Sequence, residues 1–182
     1  MNKKTKIFII TFFSIILIPV IIISIVLGYN EKKLNDKINK SKLTRTLILN
    51  GIDDSITFED LCNIESSKEY TIENRELRYE NEKDKKDFKV TYTNTSFYGS
   101  FCTKEYFFDD EKLKLCIYTI DSSHWMPKNI YEEIVNINGE PDIHNSDDES
   151  FYLEVNEWHG KNGIIILNKL NNDTIEIIFE LN

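Results

Sequence analysis

The chain has 182 residues, with 22 Lys and Arg against 31 Asp and Glu, for a net charge of −9. Such a balance argues against nucleic acid as a partner, because phosphate recognition needs a basic face. Three cysteines permit at most one internal disulfide, so stability must come from an ordinary core, and the length beyond the first 30 residues suffices for one domain.

Residues 1–6 form a basic tail carrying Lys3, Lys4 and Lys6. Residues 7–27 then contain no charge at all. As a helix rising about 1.5 Å per residue, this run reaches roughly 31 Å, the thickness of a hydrocarbon core. A buried core helix would carry a polar stripe, whereas only Thr11, Ser14 and Ser24 interrupt the apolar residues. Pro19 is tolerated in a membrane helix. Residues 7–27 are therefore expected to be a transmembrane or uncleaved signal-anchor helix. The run is longer than a signal-peptide core and no A-x-A site follows it, but Val26-Leu27-Gly28 leaves cleavage, and thus a secreted binding protein, as an alternative. No cysteine near its end suggests lipid attachment. The positive-inside count favours a cytoplasmic C-terminal side. A basic tail running directly into the first apolar segment is how an export signal is built, and on that ground the C-terminal domain is expected outside the cytoplasm.

Residues 28–46 read as a basic juxtamembrane stalk. Within it, 31–45 hold six bases and two acids, whereas 46–182 hold 13 bases and 29 acids, a net −16. A basic strip would lie on anionic headgroups while an acidic domain is pushed away from them. Leu34, Ile38 and Leu43 stand at near-helical spacing, which extends the helix into the stalk.

Residues 47–182 read as the folded, acidic domain. Thr57 followed by Asp60 is a capping box, with Ile56 positioned to staple against Leu61, and Phe58, Leu61 and Ile64 share a face of a helix over 58–65. Alternation then predicts a strand around Leu77 and Tyr79, a turn over 81–86, and a strand through Phe88, Val90 and Tyr92. An aromatic hairpin joins 97–108 to 112–120 through Asp109-Asp110-Glu111, with Leu113, Leu115 and Ile117 on its buried face and a bulge at Gly99. Pro127 opens a second helix, with Ile130, Ile134 and Ile137 as its stripe, and Gly139 and Pro141 end it. Three strands close the chain: 151–158 with Phe151, Leu153 and Val155 alternating, the wholly apolar 164–170, and 175–181 with Ile175, Ile177, Phe179 and Leu181 alternating. These should form an antiparallel meander with 164–167 in the interior and the second helix on one face. The expected fold class is α+β: an N-terminal transmembrane helix, then one antiparallel sheet domain with two short helices, arranged as two tandem helix-plus-sheet units.

Gly139-Glu140-Pro141 after a helix, a strand ending near Trp158 and a final hairpin give a layout that resembles the small secreted domains of the SmpA/OmlA type and the tandem-repeat β-lactamase-inhibitor-protein fold. The likeness covers 127–182 and, more loosely, 55–120. It implies a non-catalytic binding surface. This chain lacks the lipid-attachment cysteine of those families, so their anchoring does not carry over.

Motifs for catalysis are missing: there is no G-x-S-x-G, P-loop, dinucleotide fingerprint or H-E-x-x-H. His124, His144 and His159 are not paired with cysteines at zinc spacing, and the acidic turns 109–111 and 147–149 lack the alternation of a calcium loop. No catalytic residue, metal site or cofactor is assigned. A two-residue turn at Asp110-Glu111 would set Cys102 opposite Thr119 and Cys116 opposite Glu105, too far apart to bridge, so Cys62, Cys102 and Cys116 are expected as buried thiols. The expected function is a membrane-anchored, extracytoplasmic, non-catalytic interaction module. Its partners are the lipid bilayer, through residues 7–27, and another envelope protein. The aromatic sheet face and the His124-Trp125 and Trp158-His159 loops are the candidate contacts, although tryptophans at a rim also serve packing. The rival is an enzyme acting on wall or envelope material through Asp147, Asp148 or Glu157, which would need paired carboxylates in a cleft.

Overall fold

The computed structural model describes residues 3–65, 69–74, 87–121, 128–146, 152–170 and 173–182. A long helix, α1 (Lys3–Thr44), holds the apolar run. Side chains of residues 1–19, 21 and 22 lie outside the description. Among the described residues no helix is long and apolar enough to cross a membrane, so they lend no support to the expected transmembrane helix. The chain divides into two compact units, Met1–Asn39 and Lys40–Asn182, so packing into the domain begins inside the stretch read as stalk.

In the larger unit the chain leaving α1 is fastened by buried polar side chains. Asp142 accepts hydrogen bonds from Ser41 Oγ (2.7 Å), Arg45 Nη1 (3.0 Å) and the backbone N–H of His159 (2.9 Å). Asn162 accepts from Leu47 N–H and donates to Leu47 C=O, and Asn138 does the same for Ile48. Each amide thus acts as a substitute ladder partner for a segment without a neighbouring strand. Leu47, Leu49 and Ile52 can then enter the core. Gly160 makes room for Leu47: a Cβ there would lie 2.6 Å from Leu47 Cγ.

The helix α2 (Phe58–Ile64) starts at the capping box read from sequence, with Thr57 accepting from Asp60 N–H and the Asp60 carboxylate accepting from Thr57 N–H. Leu61 is buried and Phe58 packs on the core, but Ile64 is exposed. Eight strands follow: β1 (Tyr70–Asn74), β2 (Phe88–Phe97), β3 (Ser100–Asp109), β4 (Lys112–Asp121), then, after α3 (Lys128–Asn138), β5 (Ile143–Ser146), β6 (Tyr152–Gly160), β7 (Gly163–Leu170) and β8 (Thr174–Leu181). They form one antiparallel sheet in the order β1-β2-β3-β4-β8-β7-β6-β5. A helix followed by a four-strand meander therefore occurs twice, joined through β4 and β8. β1 and β5 were not foreseen. The strand and turn expected around Leu77, Tyr79 and 81–86 lie outside the described residues, as does Phe151.

The closing meander β6-β7-β8 is as expected, with β7 interior and Ile175, Ile177, Phe179 and Leu181 buried. Several expectations require correction. Gly99 is the second turn residue between β2 and β3 (φ 85°, after Tyr98 at 47°); the bulge lies between Tyr92 and Thr95, where Asn94 takes φ 52°. The Asp110-Glu111 turn is two residues long, but a bulge at Lys114 moves the register by one, so Cys102 faces Ile120 and Cys116 faces Tyr106. Beyond it Cys116, Tyr118 and Ile120 are buried while Leu115 and Ile117 turn to the other face. The three cysteines remain thiols; Cys102 and Cys116 are buried and Cys62 is half-buried. On α3, Ile130 and Ile134 enter the core, but Ile137 is 46% exposed and Asn138 takes the inward place. A third bulge, at Leu153, leaves Leu153 and Val155 half-buried while Asn156 and Trp158 point inward.

Candidate functional site

One face of the sheet carries α2, α3 and the entire buried cluster. On the other face, Ile117 on β4, Ile178 on β8 and Ile166 on β7 stand directly opposite one another. Glu105 and Glu157 end that row on β3 and β6. The next row runs Phe107, Leu115, Glu180, Ile164 and His159. All these apolar side chains are half-buried and none belongs to the core cluster. With strands about 4.8 Å apart, they form a continuous apolar strip across four strands. Its margin is charged. Lys89 bridges Glu73 (3.2 Å) and Glu105 (3.0 Å), and those two carboxylates hold its pKa above the usual lysine value. Glu157 and His159 stand 3.3 Å apart on the opposite side.

The residues singled out from sequence fall differently. His124 and Trp125 lie outside the described residues, as do Asp147 and Asp148. Trp158 and His159 are in strand β6 rather than a loop. Trp158 has no exposed surface: its ring meets Tyr131 at 6.2 Å and its Nε1 donates to Gly139 C=O at 2.7 Å. As placed, it offers its ring to the core and fixes the end of α3 on the sheet. His159 is 7% exposed, and neither ring nitrogen has hydrogen-bond geometry to a described group. Among the described residues no three His, Cys, Asp or Glu side chains gather as a metal site.

A second cluster was missed. Lys104, 1% exposed, reaches Glu65 at the C-cap of α2 (Nζ–Oε1 2.6 Å) and lies 5.1 Å from the Tyr118 ring centroid. Tyr106 donates to the same Glu65 oxygen at 2.9 Å and meets the Tyr118 hydroxyl at 2.9 Å. Burial pushes the Tyr106 and Tyr118 hydroxyls far above the usual tyrosine pKa, and pushes the Cys116 thiol up as well, which keeps it protonated and unreactive. The signal was present in the strand, since Lys104 shares the parity of Cys102, Tyr106 and Phe108.

There is also a cavity of about 400 Å³ beside α2, lined by Thr57, Phe58, Glu59, Phe88 and Glu111. A smaller one of about 240 Å³ lies among Asn94, Phe101, Cys102, Thr103, Thr119 and Asp121.

The fold defines an α+β protein built on a single eight-stranded antiparallel sheet with α2 and α3 packed on one face. No protein-family model, curated protein or solved structure matches the chain.

Proposed function

We propose that the chain is a membrane-anchored, extracytoplasmic, non-catalytic interaction module. Residues 7–27 are its anchor in the bilayer, and the open sheet face docks another envelope protein. The observation carrying the docking role is the strip Leu115, Ile117, Ile178, Ile164 and Ile166, an apolar surface on the side away from every core residue. Flat apolar strips of this kind are costly to leave in water and commonly mark protein contacts. The surrounding Glu105, Glu157 and Glu180, in a region of net −16, call for a partner with an apolar centre and a basic rim. Support for the anchor is the charge-free run itself, and the basic tail supports export. The SmpA/OmlA-like and inhibitor-like layout of 127–182 agrees with a binding rather than catalytic role.

Photo-crosslinking in native membranes tests the docking role. A crosslinking residue at Ile117, Ile166 or Ile178 should give one discrete adduct, and the same residue at Glu132 on α3 should give none. Equal labelling at all four positions, or none at the sheet positions, would remove the open face as the docking surface.

A further inference from the structure

The smaller cavity has a composition the docking role does not use. Besides the buried Cys102 it is lined by Asn94, Phe101, Thr103, Thr119 and Asp121, and the strand register sets these side against side. Thr103 and Thr119 are paired directly across β3 and β4, the next row along the open face from Glu105 and Ile117. Asn94 lies alongside Thr103, in the bulge of β2 between Tyr92, opposite Lys104, and Thr95, opposite Cys102. Its φ of 52° is one that asparagine adopts more readily than most residues, and a bulge re-aims the side chain it carries. An amide and two hydroxyls thus stand on three adjacent strands spaced about 4.8 Å apart. Beyond the Cys102–Ile120 pair the next residues on the two strands are Phe101 and Asp121, which bound the end of the cavity. Phe101 is 81% exposed. Among the described residues it meets no other ring, and the side chains of Asn94, Thr103, Thr119 and Asp121 have no hydrogen bond or ion pair.

We infer that this cavity binds one pyranose ring of a saccharide, its C–H face on Phe101 and its hydroxyls on Asn94, Thr103, Thr119 and Asp121. A sugar ring carries both surfaces at once: a flat set of C–H groups that packs on an aromatic ring, and a rim of hydroxyls that each donate and accept. The polar lining matches that rim, since Asn94 offers two N–H donors and an acceptor, each threonine one O–H and two lone pairs, and Asp121 acceptors alone. An apolar ligand would take four polar groups out of water without bonding them. An anion would face Asp121 in a region of net −16. A cation would use Asp121 and leave the amide and hydroxyl donors without acceptors. A volume of about 240 Å³ is below the usual range for drug-sized ligands, so the site takes one ring of a chain.

Saturation-transfer and amide NMR titrations of the full chain in lipid nanodiscs test it, with cellotriose, chitotriose and cyclohexanol as probes. Cyclohexanol has a saturated ring and one hydroxyl but lacks the rim. At least one trisaccharide should bind with a Kd in the range of about 0.1–10 mM, moving the amide signals of Phe101, Thr103 and Thr119, and cyclohexanol should bind at least tenfold more weakly. Phe101→Ala should weaken the saccharide at least tenfold, whereas Phe101→Trp should keep it; the ring is too exposed for either change to disturb the core. Comparing cellotriose with chitotriose separates a plain from an N-acetylated sugar, and binding of either supports the inference. No binding of either up to about 50 mM, equal binding of cyclohexanol, or unchanged affinity in Phe101→Ala would overturn it. Crosslinking at Ile117, Ile166 and Ile178 reads the docking role separately, so failure of one leaves the other standing.

Discussion

Lys104 and Glu65 illustrate how a single pair can dominate one half of the core. Both side chains are almost fully buried, and they pair at 2.6 Å. Removing one partner by Lys104→Met or Glu65→Leu breaks a buried ion pair, and each change should cost about 3–5 kcal/mol in urea unfolding. The double substitution should cost clearly less than the sum, because two well-packed apolar groups replace the pair. Additive losses would mean that the two charges do not depend on each other. The tyrosines above the pair give a pH prediction. Tyr106 and Tyr118 have pKa values raised in the folded protein, so their contribution to stability is complete below about pH 10, the unfolded value, and is lost as pH rises beyond it. Tyrosine absorbance should therefore show these two ionising in one cooperative step with loss of structure at alkaline pH. Gradual ionisation with the fold intact would contradict their burial.

At the scale of elements, bulges decide which residues face the core. A strict two-residue repeat through β4 puts Leu113, Leu115 and Ile117 together, but the extra residue at Lys114 inverts everything after it. Bulges in β2 and β6 do the same to their own alternations. β8 has none, and its sequence reads directly as structure. Ile177 has no exposed surface and faces Tyr118 and Leu167, whereas Ile178 is half-buried on the open face beside Ile117 and Ile166. Ile177→Asp should cost several kcal/mol, since it places a carboxylate among apolar groups, and Ile178→Asp about 1 kcal/mol. Thermal melts of the two full-length variants compare them. Equal tolerance would show that the register of β8 is wrong. The helices were legible for a related reason: the Thr57–Asp60 box and Gly139 at φ 77° are local signals that no distant contact has to complete.

For the whole molecule, the proposed orientation makes a direct prediction. Protease added to intact cells, with any wall removed, should digest residues beyond 45 and leave a membrane-embedded fragment containing 7–27. Complete protection until lysis would place the domain in the cytoplasm. Recovery of a soluble species beginning at Tyr29 would show that the run is a cleaved signal instead.

Charge, hydropathy and short-range chemistry belong to the sequence itself, and from them come the charge-free run 7–27, the acidic region after it, the α+β class, both short helices and the closing meander. These features depend on neighbours a few residues apart. Tertiary structure alone decided the pairing of β4 with β8, the bulges at Asn94, Lys114 and Leu153, the inward turn of Trp158, and the meeting of Lys104 with Glu65. It also brought Phe58 and Glu59 to Phe88 and Glu111 around one cavity. The physical reason is register: one inserted residue reverses every side chain beyond it, and the free energy that settles where it goes comes from packing partners far away in the chain.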